Sequence, residues 1–184
     1  MILGLDISTA VVGMCWLEDD GSYCIGDHID LRKVDGLIEK GHTVWNWFES
    51  TSEHAHWQVD HIFVEDKLSG FSGGRTSQQT MMKLAAFNGI VSYLWAEKNS
   101  HFYTMPVYLH PSTVKAVMKR DGLVIPKGAD KKALTLEHCR RVVPKFPYVE
   151  NRNDKPQPWL FDIADAYCVA RAGFLKHVCG DQGR

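Results

Sequence analysis

The sequence predicts a mixed α/β domain, a five-stranded sheet flanked by helices. Three observations carry that prediction. Ile2–Leu5 and Val11–Leu17 are short apolar runs, Tyr23–Leu31 is a weaker third, and Gly21-Ser22 supplies the turn between the second and third. From residue 34 onward, helical periodicity alternates with two further short apolar runs, His61–Val64 and Val107–Leu109. The chain has 184 residues, 45% of them hydrophobic, enough for one core and one domain spanning 1–184.

The elements follow in order. After the three-strand meander, Val34, Leu37, Ile38, Gly41, Trp45 and Phe48 form one stripe of a helix over Val34–Trp57. His61–Val64 is apolar enough to be a buried strand, and a long helix covers Thr76–Lys98. Val107–Leu109 is the fifth strand. Ser112 is placed to cap a helix that runs to Arg120. Ala129–Val143 and Trp159–Val178 are the last two helices. Irregular stretches are expected at Lys67–Arg75, Asp121–Gly128 and Pro144–Pro158; the four prolines of the last forbid a continuous helix.

Composition excludes several classes. With 23% charged and 11% aromatic residues, wholesale disorder is excluded. No apolar run approaches the length of a membrane span. The opening Met1-Ile2-Leu3-Gly4-Leu5-Asp6 lacks the features of a signal peptide. Five cysteines without CxxC spacing argue against a disulfide framework or zinc ribbon, so a cytoplasmic setting is expected. His54 and His56 lack the H-E-x-x-H spacing of a zinc protease, and Ser8 and Thr9 lie in no G-x-S-x-G elbow.

Charge is unevenly distributed. Residues 1–60 carry three basic side chains against eleven acidic ones, whereas residues 115–155 carry eleven basic against five acidic. A net charge of -1 therefore conceals a basic region suited to phosphates.

Four acids stand out by position. Asp6 follows the first apolar strand directly and Glu65 follows the fourth. If those strands are parallel neighbours, both carboxylates emerge at one sheet edge, where α/β folds gather ligands. Asp162 and Asp165 share a face of the last helix, whose other residues are apolar nearly all round. Such a helix is buried, and neighbouring buried carboxylates repel unless a cation separates them. Mg²⁺, with Mn²⁺ as substitute, is the economical partner, and four carboxylates suit two-metal hydrolysis at phosphorus.

These residues resemble the RuvC family of Holliday-junction resolvases. Ile2-Leu3-Gly4-Leu5-Asp6-Ile7-Ser8 resembles the family's opening, Phe63-Val64-Glu65-Asp66 its second acidic strand end, and Asp162-Ile163-Ala164-Asp165-Ala166 its D-x-x-D-A on the final helix. Val107–Lys115 and Gly128–Leu134 resemble the segments between. The likeness spans Ile2 to about Phe174. It implies an RNase H-like fold, a homodimer, Mg²⁺ dependence with two ions per site, and paired nicks in four-way DNA.

Carried over residue by residue, the resemblance makes Asp6, Glu65, Asp162 and Asp165 the catalytic metal-binding carboxylates. Lys115 matches one functional lysine, and Lys131 or Lys132 matches the second. All three lysines, with Phe71 and Arg75 of the glycine-rich Gly70–Arg75 loop, are expected to meet DNA. Family members often carry an aromatic close behind the second catalytic acid, which intrudes at the junction centre; here that near position is Leu68, and Phe71 follows it. That longer loop, with the unfamiliar stretches Asp121–Gly128 and Pro144–Pro158, fits a divergent or phage-borne member. Residues of the Thr76–Lys98 helix are apolar over most of its circumference, which predicts a homodimer interface there. Two other readings stand beside this one. One is an RNase H-like nuclease acting on RNA or other branched substrates. The other is an actin-like or sugar-kinase ATPase fragment, since Gly4–Thr9 resembles their phosphate loop.

Overall fold

The computed structural model describes residues 1–55, 58–66, 78–98 and 105–180. Five strands, β1 (Ile2–Ile7), β2 (Val11–Leu17), β3 (Tyr23–Asp30), β4 (His61–Glu65) and β5 (Val107–Leu109), form one sheet in the order β3-β2-β1-β4-β5. β1 and β2 pair antiparallel, as do β2 and β3. β4 joins β1 parallel, and β5 joins β4 parallel. The helices are α1 (Leu37–Ala55), α2 (Gln78–Lys98), α3 (Pro111–Arg120), α4 (Lys131–Val142) and α5 (Trp159–Gly173), the last continuing as a π-helical turn over Phe174–Val178. The expected mixed α/β sheet with flanking helices is therefore present.

Strand alternation sorts the core into two layers. Leu3, Leu5 and Ile7 of β1, with Val12, Met14 and Trp16 of β2, face α1 and α2. There Trp95 packs edge to face with Trp45 and Phe48, and the three rings have centroids 5.2–5.9 Å apart. Ile2, Cys15, Leu17, Phe63 and Leu109 face α3, α4 and α5. All five cysteines are free thiols. Among the described residues no helix is long and apolar enough to cross a membrane.

Helix α5 lies unusually close to the sheet. A Cβ on Gly4 would stand 2.5 Å from the Ala166 carbonyl oxygen and the Ala170 nitrogen, and one on Gly13 would stand 2.2 Å from the Asp162 carbonyl oxygen. Glycine on the strands and Ala164, Ala166, Ala170 and Ala172 on the helix make that approach possible.

Several boundaries differ from those read in the sequence. β1 runs through Asp6 to Ile7, because Ile7 still pairs with Val12 before the turn. α1 begins at Leu37, since Val34 closes a turn on Leu31 and Gly36 has φ +75°. The cap of α3 is His110, whose side chain accepts from the Ser112 N–H, with Pro111 in the first turn. α4 begins at Lys131 because Asp130 caps it by accepting from the Ala133 N–H. α2 is described from Gln78.

Candidate active site

The strand register places the acids. Leu5 pairs with Val64 across β1 and β4, and both strands run in the same direction. Asp6 and Glu65 are the next residue on each, so they reach the same edge at the same level. Both belong to the α5 face, because Gly4 two residues before Asp6 lies under α5 and Phe63 two before Glu65 packs against Gly173. Asp6 is only 7% exposed. On its other side Asp6 pairs with Gly13, and Gly13 lies beneath the Asp162 backbone. The first turn of α5 thus brings Asp162 to the Asp6 edge.

Asp165, three residues further along α5, lines a cleft of about 590 Å³ together with Glu65, Lys115 and Lys131. Two helix starts place the lysines. His110 holds the start of α3 by accepting from Ser112, with Nδ1 3.1 Å from the backbone nitrogen and 2.6 Å from Oγ. Asp130 holds the start of α4. Lys131 is the first residue of that helix, where the dipole disfavours a cation. Lys132 points elsewhere, its Nζ 5.9 Å from the centre of the Phe161 ring. Of the two lysines that the sequence left open, Lys131 lines the cleft and Lys132 does not.

The four carboxylates that the sequence marks are hard oxygen ligands, which would suit Mg²⁺ or Mn²⁺ by their chemistry. As they stand, no three His, Cys, Asp or Glu side chains among the described residues are grouped tightly enough to hold a metal ion. The one thiol lining the cleft, Cys168, is held protonated by its hydrogen bond with Cys139 and by burial. Ser8 is occupied in the β1–β2 turn: its Oγ donates to the Val11 carbonyl at 2.7 Å and accepts from the Val11 N–H at 3.0 Å.

One residue at this edge escaped the sequence reading. His28 pairs with Gly13, so His28, Gly13 and Asp6 form one row across β3, β2 and β1. Its ring stacks on Trp159 at 4.8 Å with an interplanar angle of 4°. Burial pushes its pKa below the ordinary value, against the opposing pull of Asp27, Asp162 and Asp30. A lone histidine in a polar strand carries no sequence signal; only the sheet register puts it here. Gly4 and Gly13 did carry one, since a glycine inside an apolar strand marks close backbone approach. Phe71 and Arg75, expected to meet DNA, lie outside the described residues.

No protein-family profile matches the chain, and no curated protein matches it in sequence. Solved structures do match it in fold. A RuvC structure from Thermus thermophilus superposes with a TM-score of 0.64 at 16% identity, over 98% of this chain and 97% of that one. The T. thermophilus RuvC in complex with Holliday junction substrate gives 0.62 at 12% identity, over 97% and 94%. The yeast mitochondrial Holliday junction resolvase gives 0.59 at 12% identity, over 92% and 75%. The chain has the fold of RuvC, in agreement with the RNase H-like fold that its motifs resemble.

Proposed function

We propose that the chain is a divalent-cation-dependent endonuclease that resolves Holliday junctions and other branched DNA by paired, symmetric nicks. One observation supports the reading: Asp6 and Glu65 stand at one level of neighbouring parallel strands, the Asp162 backbone lies over Gly13, the strand partner of Asp6, and Asp165 lines a cleft with Glu65. Bound there, two Mg²⁺ ions would supply an activated water and neutralise charge on the leaving oxygen. The four carboxylates would hold them. Lys115 and Lys131, on the rim of the cleft, would orient the scissile phosphate and offset the charge that develops on it. The basic region around them would hold the DNA arms through phosphate contacts, with the Gly70–Arg75 loop as a further contact.

A homodimer belongs to this reading. The inner side of α2 buries Phe87, Val91, Leu94 and Trp95, while its outer side leaves Met82 66% and Tyr93 63% exposed. That exposed stripe fits a second copy of the chain. Two-fold symmetry would then present two sites to the two opposed strands of a four-way junction.

The deciding experiment is a nicking assay on a synthetic four-way junction in Mg²⁺, with linear duplex and RNA–DNA hybrid as controls. Matched nicks in the junction, with duplex and hybrid left intact, are expected. Preferred cutting of the hybrid would favour an RNA-directed nuclease, and failure to cut any of the three would overturn the reading.

A further inference from the structure

The first turn of α5 has to be held sideways as well as downward. Gly4 and Gly13 let the helix descend onto the sheet, but a glycine has no side chain with which to grip it. The helix start brings no grip of its own: Pro158 stands at the cap position, and no side-chain hydrogen bond caps the helix. Ile163 lies over Gly26 of β3, an apolar contact that restricts depth more than lateral position. Trp159, the first residue of α5, makes a contact with more geometry. Its ring lies flat on the His28 ring of β3, with centroids 4.8 Å apart and planes 4° apart.

His28 is itself anchored. β3 ends the sheet, with β2 as its partner strand. Beside His28 it is also tied to α1. The His28 backbone N–H donates to Asp27 Oδ1 at 2.7 Å, and the Trp47 indole N–H of α1 donates to Asp27 Oδ2 at 3.0 Å. The imidazole is not fixed through Nδ1. That atom makes no hydrogen bond among the described residues, and Asp27 Oδ1 stands 3.8 Å from it, too far for one. What holds the ring against α5 is its face on Trp159.

Trp159 and Asp162 are three residues apart on α5 and share a face. The strand row His28, Gly13, Asp6 runs beneath that turn. Trp159 sits on His28, the Asp162 backbone lies over Gly13, and Asp6 is the next residue across. We propose that His28 is a positioning residue of the nuclease site: its stack on Trp159 sets where the first turn of α5 lies along this row, and so where Asp162 stands relative to Asp6. Without the ring, the turn can slide over the glycine beneath it. A carboxylate displaced by about an ångström serves the reaction far less well. Another flat ring of similar size should replace the imidazole, because the face carries the contact. This role rests on the nuclease reading and adds to it a residue outside the carboxylates and lysines.

The test compares His28→Ala, His28→Phe and Trp159→Ala with the unaltered chain by urea midpoint, by calorimetric Mn²⁺ binding, and by affinity and single-turnover nicking on a four-way junction. His28→Ala should keep a cooperative urea transition and the parent's junction affinity, yet bind Mn²⁺ about tenfold more weakly and nick about tenfold more slowly. Trp159→Ala should match it, and joining the two substitutions should add little further loss, as for two halves of one contact. His28→Phe should restore most of the Mn²⁺ affinity and the rate. Should His28→Ala lose its cooperative transition, His28→Leu, which fills the space without a flat ring, takes its place with the same expected loss. If the unaltered chain nicks junctions and the ring-less variant binds Mn²⁺ and nicks as well as it does, the positioning role is overturned and the nuclease reading stands. A His28→Phe protein as impaired as His28→Ala would overturn it too, since the imidazole rather than the stack would then be required. If the unaltered chain neither binds nor nicks branched DNA, the nuclease reading falls and takes the positioning role with it.

Discussion

Gly13 lies directly under the backbone of Asp162: a Cβ built on Gly13 would stand 2.2 Å from the Asp162 carbonyl oxygen and 2.6 Å from its carbon. No side-chain rotation relieves a clash with backbone. Gly13→Ala should therefore lift the first turn of α5 away from β2, and with it Asp162. Overpacking of this kind costs about 1–3 kcal/mol. A lower urea midpoint, together with a loss of nicking larger than the stability change accounts for, is the expected result. An unchanged midpoint would show that α5 does not rest on Gly13.

Asp6→Asn should abolish nicking and spare junction binding, since Asp6 is assigned to metal rather than to DNA. Removing its charge also reduces repulsion toward phosphate. Gel shift and cleavage in Mg²⁺ check this together. Glu65→Ala, Asp162→Ala and Asp165→Ala should each weaken Mn²⁺ binding by calorimetry. A variant that binds metal and cuts like the parent would leave the proposed set.

Lys131 and Lys132 should separate cleanly. Lys131 lines the cleft beside Glu65 and Asp165, whereas Lys132 sits over the Phe161 ring. Lys131→Ala should slow nicking by roughly tenfold or more, through lost stabilisation of charge on the phosphate. Lys132→Ala should stay within about twofold, with at most a small change in salt dependence. The reverse order of effects would reassign the rim.

The outer stripe of α2 should hold a second copy. Light scattering across a concentration series should give a dimeric mass, and Tyr93→Asp or Met82→Asp should shift it toward monomer. Both side chains are exposed, so the fold should survive. A monomeric mass at micromolar concentration with full resolving activity would count against the two-fold arrangement.

Acid should destabilise the fold chiefly through the buried His138. His138 is 4% exposed; burial, aided by Arg141 beside it, pushes its pKa below the usual 6.5. The folded state thus favours neutral His138, and the unfolded chain binds the proton more readily. This contribution is fully present above pH 6.5 and is lost as pH falls through the lower, folded-state pKa. His138→Gln should lose less stability than the parent in urea melts taken from pH 7.5 to 5. Part of the slope should remain, because His28 and His177 are displaced in the same direction.

Some of this was legible from the amino-acid order alone. Strand and helix periodicity determined the α/β class, since the repeats of 2.0 and 3.6 are local properties of the backbone. The order Asp6, Glu65, Asp162-x-x-Asp165 marked the carboxylates, because acids against apolar runs are visible without knowing what packs on them. Local chemistry misled only at edges: Ser112 looked like the cap of α3, yet the His110 ring reaches the Ser112 N–H first.

Tertiary structure decided what depends on contacts between distant segments. The parallel pairing of β1 with β4 brings Asp6 level with Glu65, although 58 residues lie between them. Which of Lys131 and Lys132 lines the cleft depends on how α4 sits against its neighbours. His28 reaches the Asp6 row only through two strand registers. Each of these is a long-range arrangement selected by burial of the two core layers, and burial is a property of the whole chain rather than of any stretch within it.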